Sequence, residues 1–216
     1  MRAQHSMGKT GRPHKVPGEK STRDKIFDAA IDLFAEHGYD RTTVRDIARA
    51  VGITESAVYR HYQSKESILD AVFSYVETRV YTSLPSAKSA GGEAGSTVFR
   101  DMLEGLPRYL MADPSLVKII HILFIELHHN EKIRDYIQKE YGERADDYTE
   151  AVFRKQMEEG RIRPCDPKAL AKVFNAVRFA WLYQTFILGY GTPLEIAVME
   201  KDLQVPIGFF DNLLKS

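Results

Sequence analysis

The chain reads as an all-α protein: an N-terminal three-helix helix-turn-helix domain, joined by a long fourth helix to a C-terminal helical domain. Three observations predict this. Apolar residues recur at helical spacing in the long patterned segments, and the C-terminal part carries no strand signal. Between Thr42 and Lys65 a cap, a glycine stop and a second cap follow one another closely. Apolar residues make up 44% of the 216 residues, enough to fill one small and one medium core.

Residues 1–20 are rich in Gly, Pro, Lys and Arg and are expected to form a disordered basic arm. The first 25 residues hold seven Lys and Arg against Glu19 and Asp24, although the whole chain balances 30 basic with 30 acidic residues. A neutral total with one basic end suits a protein that meets DNA at a single face. Arg12, within Gly11-Arg12-Pro13, is a candidate for insertion into a narrow A·T-rich minor groove; a flexible leader adding only non-specific attraction is the other reading.

Residues 21–66 form the predicted helix-turn-helix domain. Ser21 caps the first helix with Asp24 completing a capping box, Ile26, Phe27, Ala30, Leu33 and Phe34 face inward, and Gly38 ends it. Thr43 and Asp46 make a second capping box, and Val44, Ile47, Ala48 and Val51 give the next helix one buried stripe. Gly52 stops it. Thr54 caps a further helix of similar length, anchored by Ala57 and Val58. A short helix, a glycine turn and a second short helix is the unit that places one helix in the major groove. Candidate DNA contacts are therefore Thr43, Arg45, Thr54, Glu55, Ser56, Ala57, Tyr59, Arg60, His61 and Lys65. Glu55, Ser56 and Ala57 lie nearest the base edges, Arg60 can reach guanine or phosphate, and Tyr59 and His61 suit backbone positioning. Ser64 caps the fourth helix, whose free N–H groups and the Lys65 side chain predict an anion site for a phosphate.

Residues Ser21 to Val76 resemble the DNA-binding domain of the tetracycline-repressor (TetR) family. The likeness is carried by the run TRDKIFDAAIDLFAEHGYDRTTVRDIARAVGITESAVYRHYQSKESILDAV. Within it stand the Gly38-Tyr39 turn, Thr42-Thr43, Ile47-Ala48, Val51-Gly52, Tyr59 and Lys65-Glu66. Tyr62 stands where the family pattern usually has Phe, and Glu55 where it often has a basic or small residue. An acid at that position could accept from a cytosine amino group or exclude wrong sites. The resemblance implies a homodimer on double-stranded DNA and a cavity for a small-molecule effector.

The fourth helix runs from Ser64 to about Leu84 through Ile68, Leu69, Val72, Phe73 and Val76. It leaves the first domain and so becomes its mechanical link to the second. Leu84 to Ser96 is small and Gly-rich, a predicted inter-domain loop. In residues 96–216, Pro107 requires a kink or restart, and Asp113-Pro114 opens the next helix. A long amphipathic pattern spans Asn130 to Glu159 and stops at Gly160. Asp166-Pro167 starts a helix ending near Leu188, and a last helix from Pro193 is expected to be interrupted near Pro206 and Gly208.

Two surfaces follow. Ala169, Leu170, Val173, Phe174, Val177, Trp181 and Leu182 on one helix, with Leu194, Ile196, Val198, Leu203, Ile207, Phe209 and Phe210 on the last, exceed what one subunit can bury. They predict a two-fold four-helix interface, which Trp181→Glu is expected to break into monomers. Met102, Leu106, Tyr109, His121, Phe124, Tyr141, Phe174, Tyr183 and Phe186 are the candidate ligand-binding residues of a mostly apolar pocket; ordinary core packing is the competing reading for each.

Other functions find little support. His121 and His128 share a helix face but stand about 10 Å apart along it, too far for one zinc ion, and Glu126 lies elsewhere on the wheel. No metal or cofactor is expected. No nucleophile elbow, phosphate loop or paired carboxylate motif points to an enzyme. Met1 to Lys20 lacks a signal-peptide core, no run is long and apolar enough for a membrane span, and the lone Cys165 suits a reducing cytoplasm. The expected function is a ligand-responsive DNA-binding transcriptional regulator, a repressor on a pseudo-palindromic operator. The alternative is a DNA binder of the same fold with no ligand, marked by a filled cavity.

Overall fold

The computed structural model describes residues 20–83 and 97–214, and every regular element among them is helical. The basic arm with Arg12 and the predicted loop 84–96 lie outside the described residues.

The first three helices follow the caps written in the sequence. α1 (Thr22–His37) and α2 (Val44–Val51) each begin with a complete capping box, Ser21 with Asp24 and Thr43 with Asp46. Gly52 closes α2 at φ 77°, a left-handed geometry that a side chain would strain. α3 (Glu55–Tyr59) starts from Thr54, whose Oγ1 accepts the Ala57 N–H at 3.2 Å. It is shorter than expected: five residues against eight in α2, so Arg60 and His61 sit in the turn beyond it. The physical cause is Val58, fully buried, whose carbonyl already receives both the His61 and Tyr62 N–H groups and tightens the helix end. The three helices close over Ile26, Ala30, Phe34, Ile47, Ala48 and Val58, all nearly or wholly buried.

α4 (Lys65–Ser83) starts at Ser64, whose Oγ accepts the Ser67 N–H at 3.2 Å, and carries Ile68, Leu69 and Val72 into the first core and Val76 towards the second. The C-terminal domain contains α5 (Val98–Leu103), α6 (Leu106–Met111), α7 (Pro114–Glu126), α8 (Glu131–Ile137), α9 (Arg144–Glu158), α10 (Pro167–Tyr183) and α11 (Ile196–Leu214). Pro107 acts as expected: the chain restarts at α6 with the proline in its first turn, where a missing N–H costs nothing. Phe99, Phe153, Phe174 and Phe210 interlock at centroid distances of 5.1–6.0 Å and form the second core. Burying each such ring contributes about 1.5–3 kcal/mol.

Three expectations are corrected. α11 starts at Ile196 and runs through Pro206 without interruption, because the loss of one backbone donor is outweighed by Leu203, Ile207 and Phe210 on a continuous buried face. The long amphipathic pattern contains a π-helical turn at Gln138–Glu143, and α10 ends in another at Gln184–Leu188. Trp181 is not a surface residue. It is 6% exposed, packed edge-on against Phe186, and Leu170, Phe174, Leu182, Leu203, Ile207 and Phe210 are buried with it inside the protomer. Among the apolar residues left outside are Val173, Leu188, Ile196, Val198, Val205, Phe209 and Leu213.

The two domains are locked by specific polar contacts. Lys118 of α7 pairs with Asp32 of α1 at 2.5 Å, and Lys132 at the start of α8 pairs with Asp70 of α4. Tyr136 stacks on Phe73 at 4.1 Å and donates its hydroxyl to the Phe73 carbonyl. Tyr75 of α4 donates to Asp113, the α7 cap, at 2.7 Å; burial and this bond push its phenol up to about 12.

Candidate DNA-reading face and internal cavity

Thr43, Arg45, Thr54, Ser56, Tyr59, Arg60 and His61 are exposed, with Glu55 and Ala57 half-buried among them. The α2–α3 turn thus brings the predicted residues to one end of the molecule. Their side chains are less idle than the sequence suggests. Arg45 Nε donates to Glu55 Oε1 at 2.8 Å, raising the guanidinium's pKa and tying the exposed sides of α2 and α3 together. Glu55 therefore meets an arginine of its own chain. Thr43 Oγ1 donates to Asp46 at 2.5 Å, which holds that carboxyl below its ordinary range.

Lys65 departs from its expected role. Its ammonium donates to the carbonyls of Tyr39 at 2.9 Å, Thr42 at 3.1 Å and Asp40 at 3.4 Å, and lies 4.2 Å from the Tyr39 ring centroid. It clamps the α1–α2 turn, and a phosphate there would have to displace these contacts. Thr42 supports the same turn from inside, its hydroxyl donating to Gly38 O at 2.8 Å.

The turn receives one more contact, from the other domain. The buried Glu126 at the end of α7 accepts the Tyr39 N–H at 2.8 Å. Gly38 faces the same carboxylate: a Cβ there would stand 2.9 Å from Glu126 Oε1, and φ is +84°. The positive φ favours glycine, and any side chain there would also have to shift the Glu126 carboxylate. Sequence reasoning considered Glu126 only for metal; a bond across 87 positions of chain leaves no local signal. His121 instead stacks on Tyr190 at 3.5 Å, and burial lowers its pKa.

Behind α4 lies a cavity of about 250 Å³, bounded by Val76 and Glu77, by α5 and α6, by Leu116 and Ile120, by Tyr136 to Tyr148, and by Arg178 and Leu182. Of the predicted ligand residues, Met102, Leu106, Tyr109 and Tyr141 line it. The other five do not. Phe174 is fully buried core and Phe186 packs on Trp181, while His121 stacks on Tyr190. Tyr183 is 41% exposed, and Phe124 borders a separate small void. The misplaced five lie on α7, on α10 and in the π turn that ends it, and apolar periodicity alone does not tell cavity lining from ordinary packing. In the other π turn Tyr141 does reach the cavity. That turn inserts an extra residue into the helix and rotates Glu140 and Tyr141 relative to a 3.6-residue pattern, so counting along the helix loses register there.

Residues 26–72 match the family model for bacterial regulatory proteins, tetR family. Over these residues the chain is similar to TetR-family regulatory proteins. Over 55 aligned residues the chain is 47% identical to the HTH-type transcriptional repressor KstR2 of Rhodococcus jostii, covering 26% of this chain and 27% of that protein. The biofilm operon negative regulator IcaR of Staphylococcus aureus is 52% identical over 48 residues, 22% of this chain and 26% of its own. The chain thus spans about a quarter of the length of these curated relatives. The complex of SmeT with triclosan, SmeT being the repressor of a Stenotrophomonas maltophilia multidrug efflux pump, superposes with TM-score 0.71 at 22% identity over 91% of this chain and 93% of that one. The TetR-type fold therefore extends through both domains, while sequence likeness is concentrated in the first. Among the described residues no helix is long and apolar enough to cross a membrane.

Proposed function

We propose that this TetR-like protein is a ligand-responsive regulator of transcription. Two copies grip a pseudo-palindromic operator, and a small, largely apolar effector in the cavity releases them. One observation carries the reading: α4 starts in the DNA-reading domain at Lys65 and lines the cavity at Val76 and Glu77. Anything that fills the cavity pushes on the helix that carries the reading head.

Ser56, Tyr59 and Arg60 present hydroxyl and guanidinium donors at the tip, suited to base edges and phosphates, with Thr43, Arg45 and His61 flanking them. Glu55 holds Arg45 in a fixed direction. The exposed Val173, Leu188, Val198, Val205, Phe209 and Leu213 supply an apolar face for a second copy. Both recognition helices must dock about 34 Å apart, so a shift of a few Å breaks the match. A coupling of about 1–3 kcal/mol then changes affinity by about 5–150-fold. The presence of triclosan in the SmeT complex supports small-molecule binding by this fold. No catalytic role is assigned to any residue.

The test is selection of bound duplexes from a random library at physiological salt, followed by footprinting. A palindromic footprint, relieved by a compound that also raises the melting temperature, is the expected result. Protection of random and selected DNA alike would overturn the reading.

A further inference from the structure

Five charged residues line the cavity: Glu77 of α4, Asp101 of α5, Glu140 and Arg144 at the first π turn, and Arg178 of α10. Three acids stand against two bases. Four of the five have partners. Glu140 Oε2 accepts from Arg144 Nη1 at 3.0 Å, and Asp101 and Arg178 are engaged as well. Glu77 is the exception. It is half-buried, and among the described residues no hydrogen bond or ion pair reaches it, not even from the two arginines of its own cavity. Partial burial weakens the hydration of this carboxylate and no donor of the fold makes up for it, so its charge is left for a cation to meet.

Two tyrosines are pinned to α4 on either side of Glu77. Tyr136 donates its hydroxyl at 3.3 Å to the carbonyl of Phe73, one helical turn before it, and Tyr109 donates at 2.5 Å to the carbonyl of Arg79, just after it. Both line the cavity with their O–H groups committed to α4, so what they offer an occupant is ring rather than donor. Phe73 covers one face of Tyr136 at 4.1 Å and does not itself line the cavity, which leaves the opposite side of that ring to it. Aromatic faces carry negative potential and attract cations. Met102, Leu106, Leu110 and Leu116 supply an apolar remainder.

We propose that the effector is an organic cation with an apolar body, an alkylammonium, whose head lies against Glu77 between Tyr109 and Tyr136 and whose tail fills the aliphatic part of the cavity. The inference rests on the cavity being the effector site, and it adds the charge of the ligand and the place of its head. It also shortens the path to DNA, because the head group is held by α4 itself. A carboxylate ligand would meet Glu77 as a like charge, and an alcohol would leave it without a counter-charge.

The experiment is calorimetric titration of the full chain with hexyltrimethylammonium, 1-octanol and octanoate, on wild type, Glu77→Gln and Tyr109→Leu, with melting temperature as the folding check. Hexyltrimethylammonium should bind at least about tenfold tighter than 1-octanol, with octanoate weakest. Glu77→Gln removes a charge without breaking a hydrogen bond or ion pair among the described residues. The melting temperature should therefore hold while the cation weakens about tenfold and 1-octanol changes little. Tyr109→Leu keeps an apolar wall, and should weaken the cation more than 1-octanol. Equal or tighter binding of 1-octanol or octanoate, no binding of the cation, a Glu77→Gln variant that binds it as wild type does, or equal losses for both ligands in Tyr109→Leu would overturn the head-group assignment. Operator release by 1-octanol or octanoate would then leave the cavity as an effector site. If no compound that enters the cavity alters operator affinity, the effector reading itself falls.

Discussion

The two ends of this molecule are built to opposite standards. The reading head is tightly specified: its first two helices carry complete capping boxes, Thr42 and Lys65 tie the α1–α2 turn, and Arg45 with Glu55 ties α2 to α3. The C-terminal domain contains a cavity, two π turns, and two buried nitrogens, His121 Nδ1 and Trp181 Nε1, without hydrogen-bond partners among the described residues. The difference teaches where deformation belongs. On the proposed function, a head that must match a fixed groove gains from rigidity, whereas a domain that takes up an effector must have somewhere to move. Glu126 and α4 join the stiff part to the soft one.

The largest effect should come from Phe209→Asp, which tests whether the soft half also sets the spacing of the heads. Phe209 is 59% exposed, so the protomer should still fold. Sedimentation should show monomers, and operator affinity should fall towards its non-specific value, about a thousandfold or more weaker. A persistent dimer would place the interface elsewhere.

Arg60→Ala addresses the claim that base reading is confined to the head. Loss of one guanine or phosphate contact should lower operator affinity by about 5–150-fold and leave effector binding unchanged. An equal loss on random DNA would reduce Arg60 to a phosphate contact.

Glu126→Leu breaks the junction. The Tyr39 N–H would be left buried without an acceptor, at a cost of about 1–3 kcal/mol in denaturant unfolding. More telling is the coupling: effector and operator should still bind, but each should influence the other less. Full coupling in the variant would show that α4 transmits alone.

The smallest effect concerns the packing defects of the sensor. Burial depresses the pKa of His121 in the fold, so the unfolded chain takes up this proton more readily. Its contribution is complete above the ordinary histidine value of about 6.5 and is lost as pH falls through the folded pKa. Stability should therefore drop below about pH 6.5, by no more than about 1.4 kcal/mol per pH unit, and His121→Asn should flatten that slope whatever its absolute cost. An identical slope in the variant would assign the acid sensitivity to other groups.

Much of the molecule was legible in advance because its signals are short-range. Ser21, Thr43, Thr54 and Gly52 satisfy or end backbone hydrogen bonds within four residues of themselves, so their helices could be placed from sequence alone. The apolar character of α10 and α11 was equally plain, but the single chain buries Leu170, Phe174, Trp181, Leu182, Leu203, Ile207 and Phe210 by itself. What could not be read is which residues of those helices face which neighbour. Trp181 and Phe209 are both apolar and both on the stripes expected at an interface, yet tertiary packing buried one and exposed the other. The same holds for Lys65, drawn to three carbonyls by a turn more than twenty residues away, and for Glu126, drawn to Tyr39. Hydrogen bonds and caps obey local geometry; cavities, inter-domain contacts and the register shift of a π turn depend on where distant helices come to rest.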